Sequence, residues 1–194
     1  MNIDRLKEYI ELKKQGFNYG LLCECCNILD NKRERIIKAE REAGIYPYYG
    51  PNGVQAYVNK YTFDGEFVLV AEKGVVTTEE GRPIVNWATG KIGCGDSVHI
   101  ISERQGTLLR FLYYYLQCVD IRMIVTTGMI PSLTITAFRN IRVPIIPIEY
   151  QQEIVNNLDM FYYSYKDFEK EVTLVNKLLK ENFMSRIFNF KELK

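Results

Sequence analysis

Residues 154–179 read IVNNLDMFYYSYKDFEKEVTLVNKLL, and their spacing decides the architecture. Ile154, Leu158, Phe161, Tyr165, Phe168, Val172, Val175 and Leu179 follow one another at intervals of 4, 3, 4, 3, 4, 3 and 4. An α-helix turns about every 3.6 residues, so this alternation keeps all eight side chains on one narrow stripe, the seam of a coiled coil. Lys166, Asp167, Glu169, Lys170 and Glu171 fill the outer face, and no Gly or Pro interrupts the run. Beyond Leu179 the next heptad positions fall on Asn182 and Arg186, while Phe183 and Ile187 carry the stripe one step round, which marks a stutter or a change of packing partner. A helix over 150–188 would be roughly 57 Å long, longer than a domain of this size is wide. No other segment of the chain is long enough to cover such a seam. The pattern therefore predicts a dimerisation helix with these eight residues at the contact; the alternative is that the stripe packs back on its own domain.

Working outward, the chain falls into three parts. Residues 1–16 predict a short N-terminal helix, with Ile3, Leu6 and Ile10 at helical spacing, Lys13 and Lys14 at its C-terminal end and Gly16 as its stop. Residues 17–148 are mixed and strand-rich. Short runs such as Phe67-Val68-Leu69-Val70-Ala71 and Ser97-Val98-His99-Ile100-Ile101 lie between glycines, which favours a curved, mainly antiparallel sheet over repeated βαβ units. Two helices are expected inside this region. One is the charged stretch Asn31 to Ala43; the other is Leu108 to Val119, apolar nearly all round and therefore buried. Pro144 and Pro147 close the region, and residues 149–194 hold the long helix. The predicted class is α+β, a compact domain followed by one long helix.

Composition narrows the function. The chain has 194 residues, 47% hydrophobic and 25% charged, with a formal charge of +1. That excludes wholesale disorder and a polybasic binder, though not a local basic face. Tyrosine is abundant, 14 against 10 Phe and 1 Trp, which suits a half-wet interface. The N-terminus MNIDRLKEYIELKKQGF has no signal-peptide pattern, and apolar stretches such as Val143 to Ile148 are too short to span a bilayer. The five cysteines, 23, 25, 26, 94 and 118, do not form a secreted disulfide framework. A cytoplasmic, reduced protein is expected.

Enzyme signatures are missing. His99 is the one histidine, and in a predicted strand it reads as a satisfied half-buried residue rather than a catalyst. Cys23-x-Cys25-Cys26 lacks the paired spacing of a zinc site. The sequence contains no GxxxxGK[ST], GxGxxG, GxSxG or HExxH, nor the aromatic-proline tetrapeptide that methyltransferases use on a flipped base. No metal or cofactor is expected. Two features invite a binding role. Lys32, Arg33, Arg35, Lys38 and Arg41 form a basic run, either a phosphate-contacting strip or a solvated face. Tyr46-Pro47-Tyr48-Tyr49-Gly50-Pro51-Asn52-Gly53 predicts a tight hairpin, in which Pro51 sets φ and Asn52-Gly53 adopt left-handed conformations.

These residues, in order, carry a resemblance. Tyr46 through Tyr57, then Phe63-Asp-Gly-Glu-Phe-Val-Leu-Val-Ala-Glu-Lys-Gly, look like the opening of a target recognition domain of the DNA-specificity (S) subunits of type I restriction-modification systems. Arg82-Pro-Ile-Val-Asn-Trp-Ala-Thr-Gly-Lys and Val98-His99-Ile100 are similar to that family's central strands. Gly128-Met-Ile-Pro-Ser-Leu-Thr, then Ile141-Arg-Val-Pro-Ile-Ile-Pro-Ile-Glu-Tyr-Gln-Gln-Glu-Ile-Val, resemble its closing signature, and the heptad helix follows. The likeness covers about residues 20–185. Gly93-Cys94-Gly95-Asp96-Ser97 departs from it, standing where many relatives carry an Asn- and His-rich stretch.

The resemblance implies a non-catalytic subunit that reads DNA while separate methylation and restriction subunits do the chemistry. Full-length S subunits hold two recognition domains and two long antiparallel helices, so one domain and one helix imply a half-length form that dimerises to read a bipartite palindromic site. The DNA contacts expected on this reading are Lys32, Arg33, Arg35, Tyr48, Tyr49, Asn52 and Lys91, with Arg and Lys on phosphate or guanine and Asn52 on adenine. Between residues 20 and 148 there are 14 Lys/Arg against 13 Asp/Glu, so the isolated chain is expected to hold DNA weakly. The alternative is a structural or regulatory protein that pairs with other subunits without reading DNA.

Overall fold

The computed structural model describes residues 18–191, and the helix expected over 1–16 lies outside them. The chain divides into two compact units between Gln152 and Glu153. The first is built on a six-stranded sheet ordered β2-β7-β5-β6-β3-β4. Its strands are β2 (Asn27–Ile28), β3 (Ala43–Gly50), β4 (Gly53–Val58), β5 (Phe63–Ala71), β6 (Val85–Cys94) and β7 (Val98–Ser102). Every pairing is antiparallel except β3 with β6, which run parallel with Tyr48 opposite Gly93 and Tyr49 opposite Cys94. A separate two-stranded ribbon joins β1 (Tyr19–Leu21) to β8 (Arg142–Pro144).

Phe67 through Ala71 in β5 are all buried, because this central strand is covered on both faces and needs apolar side chains on each. On one face Phe63, Phe67 and Leu69 join Ala88, Ile92, Cys94, Val98 and Ile100, with Leu29 and Tyr49 packed against them. On the other, Trp87 lies directly across from Val68 and meets Tyr113 of α2 (Leu109–Leu116) edge-on at 5.7 Å. That helix buries Leu109, Phe111, Leu112, Tyr113 and Leu116, matching the expectation for Leu108 to Val119. The same face carries α3 (Ile135–Arg139), whose Phe138 stacks on His99 at 4.2 Å. The short helix α1 (Leu22–Cys25) links the two sheets. No helix among the described residues is long and apolar enough to cross a membrane.

The expected helix over Asn31 to Ala43 is not present. The chain there makes two isolated 3₁₀ turns, Asp30–Lys32 and Lys38–Glu40, with extended backbone between them. Tertiary contacts override a modest helical propensity: the Arg33 guanidinium is drawn inward, and the Ile36 amide donates to the Tyr48 hydroxyl at 3.1 Å instead of to a carbonyl four residues back. The hairpin is present with a different turn from the one expected. Gly50 pairs with Gly53 across Pro51 and Asn52, and Gly53 alone takes positive φ, at 100°.

The described residues of the second unit lie within α4 (Ile148–Lys191), a 44-residue helix whose first residues belong to the first unit. It is about 66 Å long at ~1.5 Å per residue. Its start is clamped by Gln151, fully buried, whose side-chain oxygen accepts from the Leu108 amide at 2.8 Å while its nitrogen donates to the carbonyls of Gly106 and Ile146. All eight heptad residues lie on this helix; the side chains of Phe161, Val172, Val175 and Leu179 lie outside the described residues. Of the others, Leu158, Tyr165 and Phe168 are 38%, 61% and 62% exposed.

Burial separates the thiols. It pushes Cys26 and Cys94 up to about 12, outweighing the lowering effect of Arg104 on the first and Arg33 on the second, whereas Cys118 is exposed. The thiolate is the reactive form. An alkylating reagent at pH 8 is therefore expected to label Cys118 within minutes and to spare Cys26 and Cys94 until denaturant is added. Peptide mass spectrometry reads this, and early labelling of Cys94 would contradict the packing of β6.

Candidate nucleic-acid interface

Two constructions on the first unit matter for binding. One is a buried polar hub that pins the basic run to the sheet. Asp30 accepts from the Ile100 amide at 2.9 Å through one oxygen and meets His99 Nδ1 at 2.6 Å through the other. His99 Nε2 donates to the Leu133 carbonyl at 2.7 Å. Two lone pairs at 2.6 Å would repel, so one proton lies between Nδ1 and the carboxylate, and the His99–Asp30 pair is neutral overall whichever atom holds it. Arg33 forms the second neutral pair, donating to Glu72 at 2.6 Å. Its remaining donors reach the carbonyls of Val98 and Asp30, and its Nη2 lies 3.6 Å from the Asp30 carboxylate.

Asp30, Glu72 and His99 bring their ligand atoms within 4.8 Å of one another, the one such cluster among the described residues. The Arg33 guanidinium already supplies positive charge there and occupies one Glu72 oxygen, with the Lys73 ammonium 3.8 Å from the other, so the donor set fits an ion-pair lock rather than a cation. Among the described residues, Cys23, Cys25 and Cys26 take part in no such cluster.

The second construction is a cleft of about 320 Å³. Arg35, Ile36, Ile37, Lys38 and Arg41 form one wall, Gly95-Asp96-Ser97 another, and Tyr48 and Gln55 complete it. Three cations face one carboxylate. Arg41 is held over the Tyr48 ring at 4.5 Å and donates to the Ile36 carbonyl at 3.2 Å, while Arg35, two-thirds exposed, lies 3.7 Å from Asp96. Lys73 donates to Asp96 at 3.2 Å. Burial acts to raise the Asp96 carboxyl, but the Lys73 hydrogen bond and the Lys73 and Arg35 charges outweigh it and hold the group below the ordinary carboxylate range. The backbone makes room: a Cβ on Gly93 would come within 3.0 Å of the Tyr48 ring, and one on Gly95 within 2.6 Å of its hydroxyl. A wall of cations with two uncharged polar groups, Gln55 and Ser97, suits a phosphodiester and an adjoining base edge.

The structure distributes the expected contact residues unevenly. Arg35 and Tyr48 line the cleft. Lys32 is exposed in the first 3₁₀ turn and does not line the cleft, and Asn52 is exposed at the hairpin tip, where Asn86 donates to the Pro51 carbonyl at 3.1 Å. Arg33 is spent in the hub, with only 14% of its side chain exposed. Tyr48 is 2% exposed, its hydroxyl engaged with the Ile36 amide and the Glu34 carbonyl, so it offers a floor rather than a reading group. Tyr49 packs toward the Phe63–Phe67 core. Lys91 is exposed on β6, over the Tyr61 ring at 4.7 Å and outside the cleft. Gln55, Asp96 and Ser97 were not expected; an isolated glutamine in a strand gives no signal of its surroundings.

The family described as "Type I restriction modification DNA specificity domain" matches residues 15–178. A putative type I restriction enzyme specificity subunit of Haemophilus influenzae is 37% identical over 138 residues, 71% of this chain and 35% of that protein. The EcoprrI specificity subunit of Escherichia coli is 24% identical over 65% of this chain and 30% of its own length. The S subunit of a type I system from M. genitalium shares the fold with a TM-score of 0.64 at 17% identity, covering 78% of this chain and 40% of that one. The chain thus spans about a third of the curated relatives it matches.

Proposed function

The chain belongs to the type I restriction-modification DNA specificity family, and from that premise we propose that it recognises double-stranded DNA by sequence and performs no chemistry itself. The observation that carries this reading is the basic cleft beside the β3–β4 hairpin, set on a domain whose family match runs through both. The relatives are named as specificity subunits of type I restriction enzymes, which supports assembly with a methylation subunit, and with a restriction subunit where the system holds one, in the cytoplasm. The near-neutral charge fits such a role, because larger partners can carry most of the phosphate neutralisation.

The second part of the proposal is pairing of two copies through the α4 seam. Antiparallel pairing presents two identical recognition domains related by a two-fold axis, and a symmetric protein reads a symmetric site. The target is then an interrupted palindrome whose spacer is set by helix length. Inserting one heptad before Phe168 lengthens each arm by about 10 Å, or roughly three base pairs of spacer at ~3.4 Å each.

Two measurements test the proposal. Arg35→Glu with Lys38→Glu is expected to lower the slope of log affinity against log salt by about two, at ~0.9 per lost phosphate contact; an unchanged slope places the DNA on another face. Mapping methylated positions in cells that carry the chain with its methyltransferase is expected to return inverted identical half-sites. An asymmetric bipartite motif would refute the pairing of two copies and point to a different second subunit.

A further inference from the structure

We infer that Gln55 is the base-reading residue of this cleft and that it takes the major-groove edge of an adenine; the inference rests on the DNA-recognition reading above. Three observations converge on it. First, Gln55 is the extra residue of a β-bulge: Tyr48 pairs with Ala56 and the adjacent Tyr49 with Val54, which leaves Gln55 without a cross-strand partner. A bulge re-aims the side chain it carries, and this one turns into the cleft. Second, the Gln55 side chain covers Gly50. A Cβ at that glycine would stand 1.9 Å from Gln55 Nε2, and all three of the nearest atoms belong to Gln55. The missing side chain at 50 is therefore the seat that orients the amide. Third, no hydrogen bond within the described residues uses that amide, although the neighbouring polar groups are engaged: Asp96 by Lys73 and Arg35, and Arg41 by Tyr48 and the Ile36 carbonyl.

The chemistry selects adenine. A carboxamide offers one N–H donor beside one acceptor, which matches the N7 acceptor and N6 amino donor of adenine in a bidentate pair. Guanine presents two acceptors there and cytosine a donor alone, so neither satisfies both atoms. Arg35 and Lys38 line the same cleft as phosphate-seating groups and fix its register on the duplex without carrying sequence information. A carboxamide seated over Gly50 and turned into the cleft reads one base pair.

The test is selection of bound duplexes from a randomised double-stranded DNA pool by the full-length chain at about 50 mM salt, where phosphate contacts hold even a weak binder. The wild type is expected to enrich a motif. Gln55→Ala keeps retention of bulk DNA but loses discrimination at one A·T pair by roughly 5- to 150-fold, the value of one good bidentate contact. Gly50→Ala is the second variant. Gly50 lacks positive φ and the three atoms nearest its added methyl all belong to the movable Gln55 side chain, so the protein is expected to melt as the wild type does yet to lose the same preference with Gln55 intact. Undiminished selectivity at every position in Gln55→Ala overturns the assignment and leaves the DNA-recognition reading standing. A wild type that enriches no motif overturns that reading, and this assignment with it.

Discussion

Arg33→Ala is expected to cost the protein about 3–5 kcal/mol, the usual consequence of removing one partner of a buried ion pair, and to lower the melting temperature by ~6 °C or more for a chain of this length. The truncation leaves the Glu72 carboxylate, 14% exposed, with only the half-exposed Lys73 ammonium 3.8 Å from its other oxygen, and strips the Val98 carbonyl of a donor. Arg33→Lys should recover only part of the loss, because an ammonium cannot span Glu72, Val98 and Asp30 as the planar guanidinium does. Lys32→Ala, one residue away and exposed, is the control and should lie within ~0.5 kcal/mol of the wild type. Thermal melts of the three variants decide the matter. Native stability in Arg33→Ala combined with lost DNA retention would return this residue to the contact surface, where its place in a basic run first puts it. The hub ties the run to Leu133 through His99, so its failure should also loosen the cleft wall that holds Arg35 and Lys38.

The second large effect is expected at the seam. Leu158→Glu with Phe168→Glu places two carboxylates where the proposed partner helix would bury them, and an uncompensated buried charge costs several kcal/mol. Association should weaken by more than about a hundredfold, at 1.4 kcal/mol per tenfold, while the recognition domain keeps its melting transition. Leu158 is 38% and Phe168 62% exposed within the single chain, so the substitutions remove only part of the packing there, and an unchanged domain melt beside the change in sedimentation assigns the effect to the pairing. A wild-type protein that sediments as a monomer at micromolar concentration would count against the coiled-coil pairing before any variant is made.

Both experiments test features that differ in how the sequence displays them. The seam is visible along the chain because it is periodic: a spacing of 4 and 3 over eight residues is a local property, and helical geometry converts it directly into a stripe. The strand-rich domain was legible for a related reason. Glycines at turns and continuous apolar runs such as Phe67 to Ala71 reflect backbone sterics and two-sided burial, and the buried helix near Leu108 follows from its all-round apolarity.

What the linear order concealed is what long-range pairing creates. Arg33 looks like one more cation in a surface run, yet its partners are Glu72 and Val98, 39 and 65 residues away; only strand order brings them together, and their pull replaces the expected helix over 31–43 with extended chain. Tyr48 reads as a displayed aromatic, yet the parallel pairing of β3 with β6 sets it over Gly93 and Gly95 and makes it a floor. Gln55 carries no motif, and its role rests on a one-residue slip in register and an absent Cβ at Gly50. The sequence by itself determined the class and the long helix with the apolar stripe along it, because these depend on periods and propensities read within a few turns of chain. Tertiary structure alone decided which cations reach solvent, where the cleft lies and which side chain enters it, because those outcomes depend on contacts between segments that no local pattern encodes.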